Sequence, residues 1–218
     1  MILLKLDFAK KVPWKLDEIR FLYSPDDFVG SFSNEKMQAR HQRMQEEKIN
    51  ALLDGLAREK NPAAAMRVLH RRDQIRFFCN NLEEFRAQNC LEETLLDLYY
   101  RDNTPFSAGG DYSLWQSLFR ECDRERIAGQ GDPLPANRVT VYRGSVTGVV
   151  RGFSWTLSRE KTAWFLQRWQ DKEEGGGIIF ALEVSPADIL VYLKEKEEVL
   201  LLPDLVETLP GTRIEALP

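Results

Sequence analysis

The chain has 218 residues, a formal net charge of -4 and 43% hydrophobic residues. That is enough apolar material for a globular core, and the chain is too acidic overall to coat nucleic acid along its whole surface. No apolar run approaches the roughly 20 residues of a membrane-spanning helix, so no membrane partner is expected. The N-terminal MILLKLDFAKKVPW lacks the long apolar stretch and small-residue cleavage site of a secretory signal. Cys79, Cys90 and Cys122 are odd in number and far apart, which reads as thiols of a reducing, cytoplasmic setting. With only His41 and His70 beside them and no CxxC pair, no metal site is expected.

In chain order, residues 1–8 read as a short strand through Ile2, Leu3, Leu4, Leu6 and Phe8. Asn34 stands where it can cap a helix running from Glu35 through Glu59, with Ile49, Leu52, Leu53 and Leu56 on one apolar face. Asn61-Pro62 stops that helix and opens a second, to about residue 88, whose buried side draws on Met66, Val68, Leu69, Ile75, Phe77 and Phe78. A third helix is expected over residues 92–100, then a loop over 102–111 around Pro105, Gly109 and Gly110. A fourth is expected over 113–127, with Leu114, Trp115, Leu118 and Phe119 inward.

Residues 129–137 (GQGDPLPAN) carry two Gly and two Pro and read as the domain boundary. Residues 1–130 are therefore expected to form a helical accessory region, and 138–218 a separate core. Past that point the period changes. Val139 and Val141, and then Ile178, Phe180, Leu182 and Val184, alternate as strands do, and 200–202 is a further apolar strand segment. One helix over about 158–170 interrupts them, with Trp164, Phe165 and Trp169 reading as its core side chains. The expected class is α+β.

Three segments of the second half carry chemistry: VTVYRG at 139–144, GFSWTLS at 152–158 and KEKEEVLLL at 194–202. Each is ordinary alone. An arginine ending a strand usually makes an ion pair, Ser-x-Thr is common on strands, and a charge run is usually a solvated turn. Together and in this order they resemble the arginine–serine–glutamate family of mono-ADP-ribosyltransferases, over about seventy residues. In that family an aromatic-Arg-Gly element ends one strand, as Tyr142-Arg143-Gly144 does here. A Ser-x-Thr element lies on a second strand, here Ser154-Trp155-Thr156, and a catalytic glutamate opens a third, here Glu198-Val199-Leu200.

The resemblance implies a split β-sandwich core that uses NAD as substrate, with Arg143, Ser154 and Glu198 catalytic. It also implies that Tyr142, Gly144, Thr156 and Phe165 join Arg143 and Ser154 in holding NAD. The chemistry of the residues is compatible. A guanidinium offers a planar fork of donors to phosphate or ribose oxygens, Ser154 and Thr156 share one strand face, and a carboxylate stabilises a sugar that develops positive charge.

Many protein-modifying members carry Glu or Gln two residues before the catalytic glutamate. This chain has Lys196 there, flanked by Glu195 and Glu197. In the alternative register Glu195 and Glu197 form the acidic pair and Glu197 becomes the catalytic carboxylate. A lysine cannot accept a proton from an arginine or asparagine acceptor and suits a polyanion better. Residues 36–76 hold ten Lys or Arg against five acids, which reads either as a solvated helix face or as a phosphate-tracking surface. The expected acceptor is a macromolecule, with RNA or DNA slightly favoured over protein. Family analogy adds a toxin of bacterial conflict or phage defence, with a neutralising antitoxin as partner. The alternatives are an NAD glycohydrolase and a catalytically inactive binding module.

Overall fold

The computed structural model describes residues 12–21, 34–101, 111–146, 148–169, 177–209 and 215–217. The expected strand at 1–8 and nearly all of the loop at 102–111 lie outside them. The chain divides into two compact units, Met1–Gly110 and Asp111–Pro218, the first helical and the second built on an antiparallel sheet, an α+β organisation.

The first unit opens with α1, Glu35–Arg58, which the side chain of Asn34 caps by accepting from the N–H groups of Lys36 and Met37. Ile49, Leu53 and Leu56 are buried while the N-terminal half of the helix stays in solvent. The expected long second helix is three: α2 Pro62–Val68, α3 Arg71–Asn80 and α4 Leu82–Ala87. Leu69 is extended, and the ring of His70 caps α3 by accepting from the N–H of Arg72. Asn81 ends α3 because its side chain reaches out of the helix, exchanging hydrogen bonds with both backbone groups of Lys15. α5, Leu91–Tyr100, is the last helix of the unit among the described residues. Its core is aromatic, with Phe78 against Phe85 at 4.7 Å and Trp14 edge-on to Phe77.

The second unit begins with α6, Tyr112–Arg120, and α7, Arg124–Ala128, where one helix was expected. Asp123 separates them, taking the N–H of Arg126 as a fresh N-cap. The strands are β1 Val139–Ser145, β2 Ser154–Thr156, β3 Ile178–Val184, β4 Ile189–Leu193, β5 Glu198–Leu201 and β6 Glu215–Leu217. Between them lie α8, Arg159–Trp169, and a 3-10 turn at Pro186–Asp188, and α9, Pro203–Thr208, follows β5. All six strands join one antiparallel sheet in the order β4-β5-β2-β1-β3-β6.

Residues 129–137 are not a linker. They strap α7 to β4. The N–H of Asp132 donates to the Tyr192 carbonyl at 2.8 Å, and its carboxylate accepts from the N–H of Lys194 at 2.7 Å. A Cβ on Gly131 would stand 2.4 Å from that same carbonyl, so the close approach requires glycine. α6 belongs to the sheet through Phe119 and Tyr112, both in ring contact with Phe153, and through Arg120, which bridges Asp204 and Glu207 of α9.

Candidate functional site

The three motif strands are consecutive neighbours, β5-β2-β1. Thr156 pairs with Tyr142 on one side and with Glu198 on the other, so Tyr142, Thr156 and Glu198 form one cross-strand row. Side chains repeat every second residue along a strand, which adds Ser154 and Gly144 to the same face. α8 lies over it, since a Cβ on Gly144 would meet Thr162 and Leu166, each at 3.3 Å. β5 is buried on both faces from Val199 to Leu201, whereas Glu198 at its start is half-buried. The carboxylate thus stands where the strand emerges from the core.

The same alternation roots Arg143 on the opposite face, with Val141, Ser145 and Trp155. Its guanidinium nevertheless touches β2. Nη1 donates to the Ser154 carbonyl at 2.6 Å. The β1–β2 ladder is the single pair Tyr142–Thr156, so the guanidinium fastens the two strands beyond it. Gly152 makes room for this: a Cβ there would lie 2.2 Å from Arg143 Cζ and Nη2. Its carbonyl meanwhile accepts from Trp155 Nε1 at 3.0 Å, which seats the buried indole beneath β2. The structure therefore gathers Tyr142, Ser154, Thr156 and Glu198 on one face and joins Arg143 to them through β2's backbone.

The β4–β5 turn is held with equal economy. Glu197 has φ +49°, a left-handed conformation that disfavours a side chain. The strain persists because its carbonyl is pinned twice, by Thr156 Oγ1 and by the N–H of Leu157, both at 2.8 Å. The carbonyl of Lys196 accepts from Lys161 Nζ of α8 at 2.6 Å. Glu195, Lys196 and Glu197 are all exposed, their side chains on a turn whose backbone is fixed.

Two expectations for α8 are corrected. Trp164 and Phe165 are not core: they are 55% and 46% exposed. Thr162 and Leu166 take the buried side of the helix instead, because the missing side chains of Gly144 and Gly177 leave room that Thr162 and Leu166 fill. The side chain of Trp169 lies outside the described residues.

Sequence reading missed Gly152 as the seat of the guanidinium, Lys161 as the tie to the turn, and Tyr112. The Tyr112 ring stacks on Phe153 at 4.9 Å with 4° between planes. Burial pushes its phenol above the ordinary value, against the pull of Arg151 and, more weakly, of Arg120 and Arg143. Only Gly152 left a trace, as a glycine two residues before β2. Among the described residues no helix is long and apolar enough to cross a membrane, and no group of three or more His, Cys, Asp or Glu could hold a metal ion. Comparison with protein-family models, with curated proteins and with solved structures finds no match to this chain.

Proposed function

We propose that the second unit is an NAD-dependent mono-ADP-ribosyltransferase of the arginine–serine–glutamate type, built on that family's core. One observation carries the reading. The three strands that bear the motifs, far apart in sequence, are direct neighbours in the sheet, with Thr156 paired to both Tyr142 and Glu198.

In the reaction, the bond between C1′ of the nicotinamide ribose and the ring nitrogen breaks. Its electron pair leaves with nicotinamide, which departs neutral, so no strong general acid is needed. C1′ then bonds to the acceptor nucleophile, and the acceptor's proton is released to solvent. Glu198 accepts a hydrogen bond from the ribose 2′-hydroxyl and stabilises the positive charge that grows on the sugar. Thr156 serves Glu198 by locking the residue before it. Arg143, fastened to the Ser154 carbonyl from the other face of the sheet, fixes the separation of β1 and β2 and so the spacing of the strands that bear Ser154 and Glu198. The fixed αL residue before Glu198 favours Glu198 over Glu197 as the catalytic carboxylate, because the Glu197 side chain leaves from an exposed turn.

The test is incubation of the chain with radiolabelled NAD and a cell extract. Label in macromolecules and free nicotinamide are expected. Glu198→Gln lowers the rate by about 10²–10³, while Glu197→Gln retains most of it. No nicotinamide release by the intact chain sinks the reading.

A further inference from the structure

We infer that the exposed side of α8 is a stacking platform for single-stranded nucleic acid, and that it presents this class of acceptor to the site. As an acceptor surface it rests on the transferase reading above.

At about 100° per residue, Trp164, Arg168, Lys161 and Phe165 fall on one contiguous arc of α8, opposite Arg159, Ala163 and Leu166, with the exposed Glu160 at its edge one turn before Trp164. Two large aromatic rings on that arc are about half exposed, which an amphipathic helix avoids unless the surface is used. The rings are arranged, not scattered: Trp164 and Phe165 meet edge-to-face at 5.0 Å and 76°. Arg168 lies over the Trp164 ring with Cζ 5.6 Å from its centroid. The two cations stand seven residues apart, about 10 Å along the axis, with both rings between them. One acid borders the arc, Glu160, whose carboxylate accepts from the Ser158 hydroxyl at 3.3 Å, so the two cations of the arc face a single anion at its edge.

That charge pattern decides the occupant. An apolar peptide face would leave two cations buried against it. A single strand satisfies both kinds of group at once, because bases stack on the rings and backbone phosphates meet the cations. Duplex is disfavoured, since its bases are already stacked and present only their edges. The platform also leads somewhere. Lys161 Nζ holds the Lys196 carbonyl, so the arc runs into the β4–β5 turn two residues before Glu198. This gives Lys196 a role beside the acceptor phosphates.

The test measures binding by fluorescence anisotropy of the full chain carrying Glu198→Gln, so that no transfer intervenes. The probes are fluorescein-labelled dT12 and U12, the matching duplexes, and poly-glutamate as a charge-only control. Binding of the single strands is expected, weakened about tenfold by Trp164→Ala with Phe165→Ala and largely restored by Trp164→Phe. Both substitutions are on solvent-facing side chains, and unchanged circular dichroism checks the fold. Arg168→Gln should reduce the salt dependence of binding by about one counterion. Affinity indifferent to the double substitution, preference for duplex, or equal binding of poly-glutamate overturns the proposal. Release of nicotinamide from NAD by the unsubstituted chain separates the two readings. Label transferred to protein alone leaves the transferase standing and overturns the platform as acceptor surface. Ring-dependent strand binding with no nicotinamide release removes the transferase reading and the acceptor role with it.

Discussion

Arg143 and Gly152 act as one device. The guanidinium reaches the Ser154 carbonyl only because nothing projects from residue 152, where a methyl group would overlap Cζ at 2.2 Å. Gly152→Ala therefore moves the arginine instead of removing it. Overpacking of this kind costs about 1–3 kcal/mol. The expected outcome is a folded chain with a lowered melting temperature and at least a tenfold loss of NAD turnover, read by differential scanning fluorimetry and nicotinamide release. Turnover unchanged by Gly152→Ala would show that the arginine's position is unimportant. Arg143, Ser154 and Glu198 stood out in the sequence because strand-end motifs are short and local. Gly152 did not, because the side chain it accommodates lies nine residues away and is brought there by the β1–β2 pairing.

At the scale of elements, helix ends show how short side chains override apolar periodicity. The apolar pattern through residues 62–88 is continuous, yet His70 and Asn81 break it by satisfying backbone groups from outside the helix. Asp123 does the same between α6 and α7. The cap of α6 is Asp111, whose carboxylate is held below its ordinary 3.8 first by the N–H of Leu114 and then by the Ser113 hydroxyl. The folded chain binds that proton less tightly than the unfolded chain does. The stabilisation is therefore complete above pH 3.8 and fades as pH falls through the lower folded value. Asp111→Asn keeps the cap acceptor but cannot titrate. Thermal melts should show the wild type ahead at pH 7 and the two converging as pH falls below 3.8. A constant gap between them would assign no titrating role to Asp111.

For the molecule as a whole, the division into units decides what can stand alone. α6 supplies Trp115, Leu118 and Phe119, all nearly inaccessible, to the sheet unit. Losing such side chains costs about 3–5 kcal/mol each, against a total stability of about 5–15 kcal/mol. A fragment beginning at Asp111 is therefore expected to melt cooperatively, and one beginning at residue 131 to remain unfolded, as judged by circular dichroism and amide dispersion in NMR spectra. Cooperative folding of the shorter fragment would return the boundary to the Gly- and Pro-rich stretch. That stretch mimics a linker in composition because a strap and a linker both need turns. What distinguishes them is the bonding of Asp132 to β4, some sixty residues further on.

Local physics determined much from the sequence alone: the mixed α+β class, the α1 boundaries, the cap at Asn34, the helix restart at Pro62, the strands β1 and β3, and the order of the three motifs. These depend on neighbours within about one helical turn or one strand, and such signals survive in a one-dimensional reading. Only the tertiary structure decided the rest. It made β5, β2 and β1 adjacent, rooted Arg143 and Glu198 on opposite faces while tying the guanidinium to β2, joined α6 and α7 to the sheet, and left Trp164 and Phe165 in solvent. The reason is common to all four. Each depends on which distant surface a side chain meets, and an apolar residue carries the same local signature whether that surface is a neighbouring strand or water.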